Sequence, residues 1–202
     1  GVVLVVGSLY WFSRGPPPDG PYETYHDNGQ LMRKGIFRNG VQNGPFEYYH
    51  ENGQLGLKMT YKDGMVDGPF EEYHDNGQVR IKGTYKDGMT DGPWEEYYDN
   101  GQLRSKHNYK NGKPVGPFEY YHDNGQLWFK QNWKDGKPED GSRESYHDKG
   151  QLWSKENFKD GKREGLRESY HDNGQLWFKE NWKDGKREDY PKEEQEAWRK
   201  IN

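Results

Sequence analysis

Residues 116–137 read GPFEYYHDNGQLWFKQNWKDGK, and they contain one complete copy of a pattern that recurs along the chain. This stretch holds two turn signals, Asp-Asn-Gly ending at Gly125 and Asp-Gly ending at Gly136, with short aromatic-rich segments around the first. Asn-Gly and Asp-Gly accept the positive φ angles that hairpin turns require. Segments this short between glycines are typical of strands and too short for helices. The stretch is therefore predicted to be a β-hairpin that ends in a second turn.

The same two signals recur along most of the chain, every 24 residues except for one 25-residue step between Gly125 and Gly150. The first signal ends at Gly29, Gly53, Gly77, Gly101, Gly125, Gly150 and Gly174, and the second at Gly40, Gly64, Gly88, Gly112, Gly136, Gly161 and Gly185. This period predicts an all-β, elongated, single-layer antiparallel ribbon of seven hairpin repeats over residues 20–188. We expect the extra residue in the loop 137–141, where it leaves the strand register undisturbed.

Composition limits the other possibilities. Only 29% of the residues are hydrophobic and 32% are charged, so a conventional globular core is hard to build. Aromatic residues nevertheless reach 16%, and the 27 glycines recur at fixed positions, which argues against disorder. A net charge of −4 argues against a nucleic-acid partner. The chain has no cysteine, which excludes disulfides and thiolate metal sites.

The repeat resembles a known family. The segment Phe158–Gly165, Phe-Lys-Asp-Gly-Lys-Arg-Glu-Gly, is similar to the MORN repeat, and the recurring Tyr-His-Asp-Asn-Gly-Gln-Leu is similar to the bacterial MORN-variant repeats. The resemblance covers residues 20 to about 188 and implies short antiparallel hairpins. Proteins of the variant type are often labelled antitoxins, so it also implies that function as one possibility. The usual MORN glycine before the strand-end aromatic is kept only at Gly35 and Gly83.

Equivalent residues are predicted to stack in columns, and three of these columns are apolar or aromatic. They are Tyr25, Tyr49, Tyr73, Tyr97, Tyr121, Tyr146 and Tyr170; Leu31, Leu55, Val79, Leu103, Leu127, Leu152 and Leu176; and Phe37, Tyr61, Tyr85, Tyr109, Trp133, Phe158 and Trp182. Cross-strand aromatic pairs are a main source of sheet stability. We therefore interpret these columns as packing between successive hairpins, so that substitution in the Tyr97, Tyr121 and Tyr146 column is expected to unfold the array.

Two further columns carry opposite charges, with glutamates at Glu23 and its equivalents and lysines at Lys34 and its equivalents. If Asn28 and Gly29 are the central residues of a type I′ turn, counting outward places Glu23 directly opposite Lys34. Such exposed pairs contribute about 0.2–1 kcal/mol each. We interpret them as determinants of register and solubility, because seven identical pairs do not resemble a catalytic centre.

Histidine recurs at His26, His50, His74, His122, His147 and His171, and Tyr98 interrupts the column. Neighbouring histidines would lie about 9–10 Å apart, two strand spacings, whereas Zn–N bonds are near 2.1 Å. We therefore expect no metal. The sequence also lacks a glycine-rich phosphate loop, a nucleophile arrangement and a singular acidic pair, so we expect neither a cofactor nor catalysis.

One position varies strongly between repeats and predicts the binding surface. It reads Met32, Gly56, Arg80 and Arg104, and then Trp128, Trp153 and Trp177. Simple strand alternation places Trp128 on the face of Tyr121, and Phe129 on the opposite face. We predict that Trp128, Phe129, Trp153, Trp177 and Phe178 bind a partner. The alternative is that the last repeats bend and cover their own aromatic rings.

The two ends differ from the repeats. Residues 1–14 are mostly apolar and end in Tyr10-Trp11-Phe12 before Arg14, which is typical of the interfacial end of a membrane helix. We expect a truncated membrane anchor there, with a secretory-signal remnant or a strand packed on the first repeat as alternatives, and a proline-rich linker over residues 15–19. Residues 189–202 are expected to form a short helix that caps the last hairpin.

These observations favour a non-catalytic, membrane-tethered repeat scaffold that binds protein partners, with a membrane complex as one candidate partner. Its repeats are expected outside the cytoplasm, with a cytoplasmic location as the alternative. Two other functions stay open: the antitoxin of a toxin–antitoxin pair, and a module that binds cell-wall carbohydrate through its aromatic residues.

Overall fold

The computed structural model describes residues 4–5 and 17–188, and all regular secondary structure among them is β-strand. The chain divides into two compact units, 1–113 and 114–202, called the N-terminal and C-terminal units below. The predicted membrane anchor lies outside the described residues except for Leu4–Val5, a two-residue strand that pairs in parallel with Gly20–Tyr25. The predicted C-terminal helix lies wholly outside the described residues.

The N-terminal unit is an open sheet whose long strands pair antiparallel in chain order. Its strands are β1 (Leu4–Val5), β2 (Gly20–Tyr25), β3 (Leu31–Arg38), β4 (Val41–Gln42), β5 (Gly44–Tyr49), β6 (Leu55–Lys62), β7 (Met65–Tyr73), β8 (Val79–Lys86), β9 (Met89–Thr90), β10 (Gly92–Tyr97) and β11 (Leu103–Lys110).

The C-terminal unit repeats this arrangement, and its strands also pair antiparallel with their neighbours along the chain. After β12 (Lys113–Pro114), at the division between the units, they are β13 (Gly116–Tyr121), β14 (Leu127–Lys134), β15 (Lys137–Pro138), β16 (Gly141–Tyr146), β17 (Leu152–Lys159), β18 (Lys162–Tyr170), β19 (Leu176–Lys183) and β20 (Lys186–Glu188). The predicted all-β hairpin repeat is thus confirmed.

The two turns of each repeat differ in type. In the second turn, both central residues have positive φ, as in Asn39 (51°) and Gly40 (75°), which is the type I′ pattern. The first turn is not the type I′ turn that the sequence predicted. The amide of Gly29 donates to the carbonyl of His26, and the amide of His26 donates to the carbonyl of Gln30. The loop therefore has three residues, 27–29, and only Gly29 has positive φ.

A β-bulge in the second strand of each hairpin compensates for this longer loop. Tyr25 faces Leu31 but Thr24 faces Arg33, which leaves Met32 without a cross-strand partner. The bulge restores the register that the sequence predicted, so Glu23 lies opposite Lys34. The equivalent glutamate and lysine face each other in all seven repeats.

The core lies on one face of the sheet and depends on a column that the sequence analysis did not single out. In the N-terminal unit this column is Tyr22, Phe46, Phe70 and Trp94. Its rings contact the strand-end aromatics edge to face, with centroids 5.6 Å apart for Phe37 and Phe46 and 5.1 Å for Phe46 and Tyr61. Such pairs contribute about 0.5–1.5 kcal/mol each beyond their area burial. Phe46 is 1% exposed.

The tyrosine column, which is present in all seven repeats, is less buried than the sequence predicted. Tyr25 and its six equivalents are half-buried on the other face of the sheet. Each hydroxyl donates to the glutamate two residues earlier, for example from Tyr73 to Glu71 at 2.7 Å. These tyrosines therefore fix the glutamates of the charged pairs, while the buried core is built from the opposite face.

The single longer repeat keeps its register, as the sequence predicted. Two residues, 139–140, separate β15 from β16, whereas one residue, Asn43, separates β4 from β5. Lys130 still faces Glu144 across the neighbouring hairpins, in the same way that Lys34 faces Glu47. The insertion is therefore absorbed in the loop.

Candidate interaction surface

The varying position of the repeat is the bulge residue. In the C-terminal unit Tyr120 faces Phe129 and Tyr121 faces Leu127, so Trp128 has no cross-strand partner. Trp153 and Trp177 occupy the same place in the next two hairpins. A bulge redirects the side chain of its extra residue away from the regular alternation. These three residues are called the tryptophan row below.

The tryptophan row is exposed in the C-terminal unit. Trp128, Trp153 and Trp177 are 46%, 44% and 54% exposed, which is high for the largest apolar side chain. Each indole lies beside the histidine of its own turn, and the ring centroids are 5.9–6.4 Å apart. The imidazole thus packs beside one part of each indole, and about half of each side chain stays exposed.

The bulge also changes which face the row occupies. Alternation predicted that Trp128 shares a face with Tyr121 and that Phe129 lies on the opposite face. The prediction for Phe129 is confirmed, because Phe129 faces Tyr120, the strand neighbour of Tyr121. The prediction for Trp128 is wrong, because the ring of Tyr120 contacts both Trp128 and Phe129, with centroids 6.2 Å and 6.1 Å apart. Trp177 and Phe178 also contact each other, at 5.3 Å. The predicted partner-binding residues of each hairpin therefore lie side by side.

The two predicted phenylalanines are less open than the tryptophans. Phe129 and Phe178 are half-buried. The guanidinium of Arg167 lies 4.9 Å from the centroid of the Phe178 ring, a cation–π distance. The phenylalanines therefore form the half-buried part of the predicted binding surface, and the indoles form its exposed part.

In the N-terminal unit the bulge position is filled differently. Arg80 forms an ion pair with Glu72, and Arg104 lies 6.0 Å from the ring of Tyr98. A Cβ at Gly56 would lie 2.8 Å from the ring of His50. The fold therefore accepts an arginine or a glycine where the C-terminal unit has tryptophan.

Four histidines of the column form hydrogen bonds to the backbone of the next hairpin. The Nε2 atom of His26 lies 2.8 Å from the carbonyl oxygen of Tyr49, and those of His74, His122 and His147 make the equivalent contact. These contacts give the four histidines a structural role. Within residues 4–5 and 17–188, no group of three or more histidine, aspartate or glutamate side chains could hold a metal ion.

A second feature of the C-terminal unit was missed from the sequence. The core column continues from Phe118 into Arg143 and Arg167, so guanidiniums replace its rings in the last two hairpins. Arg143 lies 3.5 Å above the centroid of Phe158. Burial lowers the pKa of Arg143 from its ordinary value, and the nearby charge of Glu156 opposes this effect. The signal was present in the sequence, since Gly-Pro-aromatic becomes Gly-Ser-Arg and Gly-Leu-Arg.

Comparison with known proteins gives one match. The sequence pattern of the family described as MORN repeat variant matches seven segments, residues 18–39, 42–63, 66–87, 90–111, 114–135, 139–160 and 163–184. No curated protein matches the chain. Among the described residues, no helix is long and apolar enough to cross a membrane.

Proposed function

Since the chain belongs to the MORN repeat variant family, we propose that it is a non-catalytic scaffold that binds a protein partner through the tryptophan row. Repeats of this family are generally modules for interaction with proteins or membranes, and the family is non-enzymatic. The proposal adds to this the surface that makes the contact, and it identifies the partner as a protein.

One observation carries the proposal: three indoles are exposed at a position where the fold does not require them. Met32, Gly56, Arg80 and Arg104 occupy the same bulge in the other hairpins. Tryptophan is enriched at the energetic centres of protein interfaces, where its truncation costs on the order of 2 kcal/mol or more. Adjacent indoles, two strand spacings or about 9–10 Å apart, form one row that a single partner can cover.

The test replaces the whole row by the residue that the fold accepts elsewhere. We expect the triple variant Trp128→Arg, Trp153→Arg, Trp177→Arg to keep the melting temperature within a few degrees of the parent and to lose partner capture. Capture is measured by affinity purification from the native organism, followed by binding of the purified partner. The matched control is Met65→Arg with Met89→Arg, which removes two side chains that are also exposed, at 52% and 45%, from the N-terminal unit.

Two results would contradict the proposal. If the triple variant melts far below the control variant, the indoles are part of the packing of the C-terminal unit. If it is as stable as the parent and captures the same partner with the same affinity, the binding surface lies elsewhere.

We further propose that the scaffold is tethered to a membrane, with its repeats outside the cytoplasm. The support is the apolar segment 1–12, which ends in three aromatic residues and is followed by Arg14. The native protein is expected to fractionate with membranes and to need detergent for release. Recovery of the native-length protein in the soluble fraction would contradict the tether.

The same exposed indoles favour one second candidate, a carbohydrate ligand, because flat exposed rings stack on sugar rings. A carbohydrate ligand is distinguished from a protein partner by chromatography on immobilised cell-wall polysaccharide. The column should retain the parent protein and should not retain the triple variant. Retention that is equal for both proteins would exclude the tryptophan row as a sugar site.

A further inference from the structure

A ladder of polar side chains crosses the core face of the C-terminal unit. Arg143 faces Glu156 across one strand pair, Glu156 faces Arg167 across the next, and Arg167 faces Glu180. Gln131 begins the ladder, since Lys130 faces Glu144 and the next step along these strands places Gln131 opposite Arg143. Arginine thus alternates with glutamate, except that glutamine stands in the first place.

Arg167 shows what an arginine in this ladder requires. Its guanidinium lies between two carboxylates, 3.8 Å from Glu156 and 3.4 Å from Glu180. It is 31% exposed, and the two carboxylates balance its charge at this depth. The neighbouring repeats thus neutralise the arginine from both sides.

Arg143 has the same place in the preceding hairpin but lacks such partners. The carboxylate of Glu156 already binds Arg163 at 2.7 Å and also Arg167. On the other side stands the neutral amide of Gln131, which is 7% exposed and whose Nε2 has no hydrogen-bond partner. Within the described part of the chain, no carboxylate lies within 4.0 Å of Arg143.

The position of Arg143 suits a planar acceptor. Its guanidinium is held over the ring of Phe158 at 3.5 Å, which fixes the plane of its donors. The Nε atom is shielded from solvent and has no partner, whereas the side chain as a whole is half-buried. The donors available to a ligand are therefore the two terminal nitrogens, which a carboxylate can bind through both of its oxygens.

We propose that Arg143 is a binding site for a carboxylate supplied by a partner protein, either from an acidic side chain or from a chain terminus. The ladder itself favours a carboxylate, because it is the group that the chain places beside Arg167. A single unpaired guanidinium matches the single charge of a carboxylate. The site does not depend on the tryptophan row, so it can be tested separately.

The substitution Gln131→Glu gives a direct test because it supplies the missing carboxylate from within the chain. In the full-length protein, acetate is titrated against the backbone amide N–H resonance of residue 143, which every variant retains, with chloride at matched ionic strength as the reference. We expect a saturable shift in the parent protein that is weakened about tenfold or more in Gln131→Glu. The variant should also melt at a higher temperature than the parent, since its new carboxylate pairs with Arg143.

Arg143→Lys is the second variant, and it keeps the charge but loses the planar pair of donors. Arg143→Lys should bind acetate more weakly than the parent. This result tests the site even if Gln131→Glu does not fold. Peptides then separate the two sources: one has an internal glutamate and an amidated end, and the other has glutamine and a free end. Binding of either peptide supports the site and identifies the source.

Three results would overturn the proposal. The first is an acetate shift no larger than that caused by chloride. The second is a saturable shift with phosphate and none with acetate. The third is equal acetate binding by the parent, Gln131→Glu and Arg143→Lys, since the arginine and its unpaired side would then have no part in it.

Discussion

At the residue scale, two glycines lie directly against an aromatic ring of the next repeat. A Cβ built on Gly35 would lie 2.4 Å from the ring of Phe46, and one on Gly83 would lie 2.2 Å from the ring of Trp94. Both distances are far below a van der Waals contact, so the two aromatic rings rest directly on backbone. This packing explains why Phe46 is almost fully buried.

Gly35→Ala is expected to destabilise the protein by about 1–3 kcal/mol, because the added methyl group displaces the Phe46 ring. The backbone of Gly35 does not have a positive φ, so the cost comes from packing and not from conformation. Urea unfolding measures it. The control is Gly35→Ala combined with Phe46→Leu, in which the smaller side chain should relieve the clash and give a cost below the sum of the single variants. Full additivity would show that the two sites do not touch.

At the element scale, an asparagine in three of the three-residue turns contacts the turn of the following hairpin. The side chain of Asn124 accepts a hydrogen bond from the amide of Gln126, at 2.9 Å, within its own turn. It also donates to the carbonyl of Asp148 in the following turn, at 2.6 Å. Asn28 and Asn76 make both contacts as well. One asparagine thus stabilises its own turn and its connection to the next repeat.

Comparison of two asparagines separates these roles. Asn173 accepts from the amide of Gln175 like the others, but its amide group binds the side chain of Gln175 in its own turn. We expect Asn124→Ala to cost about 1–2 kcal/mol and Asn173→Ala about 0.5–1 kcal/mol, because only the first removes a contact between hairpins. Equal losses in denaturant unfolding would mean that the contact to Asp148 contributes nothing to stability.

At the scale of the whole molecule, repetition multiplies small effects. Burial, together with the adjacent glutamate, raises the pKa of four tyrosines in the column to about 12, namely Tyr73, Tyr97, Tyr121 and Tyr146. An unfolded tyrosine titrates near 10. The protonated form is therefore favoured by folding, and this contribution is complete below about pH 10 and is lost as the pH rises to about 12.

The free energy of unfolding is accordingly expected to fall between about pH 10 and about pH 12, more steeply than lysine titration alone would cause. Replacement of Tyr73 and Tyr97 by phenylalanine should flatten this dependence, since phenylalanine has no proton to lose. The measurement is urea unfolding across this pH range, with tyrosine ionisation followed by absorbance. An identical slope in the parent and in the double variant would show that these hydroxyls do not titrate differently in the folded and unfolded states.

The repeat, the number of hairpins, the pairing of Glu23 with Lys34 and the place of the extra residue could all be predicted from the amino-acid sequence. The repeat, the number of hairpins and the place of the extra residue depend on spacing, because side chains at a fixed period must occupy equivalent places in a stacked array. The pairing of Glu23 with Lys34 was predicted from a type I′ turn, and it holds because the three-residue turn and the bulge together keep the same register. The second turn of each repeat could also be predicted, since an Asn-Gly or Asp-Gly pair can take two consecutive positive φ angles.

The face that the bulge residue occupies could not be predicted from the sequence. Alternation along a strand fails at Trp128, because the three-residue turn forces a bulge at that position and turns the indole to the side of Phe129. The buried status of Phe46, the half-buried status of the tyrosine column and the unpaired charge of Arg143 depend in the same way on contacts between repeats. Such contacts join residues about one period apart, so no local pattern within a single repeat contains them.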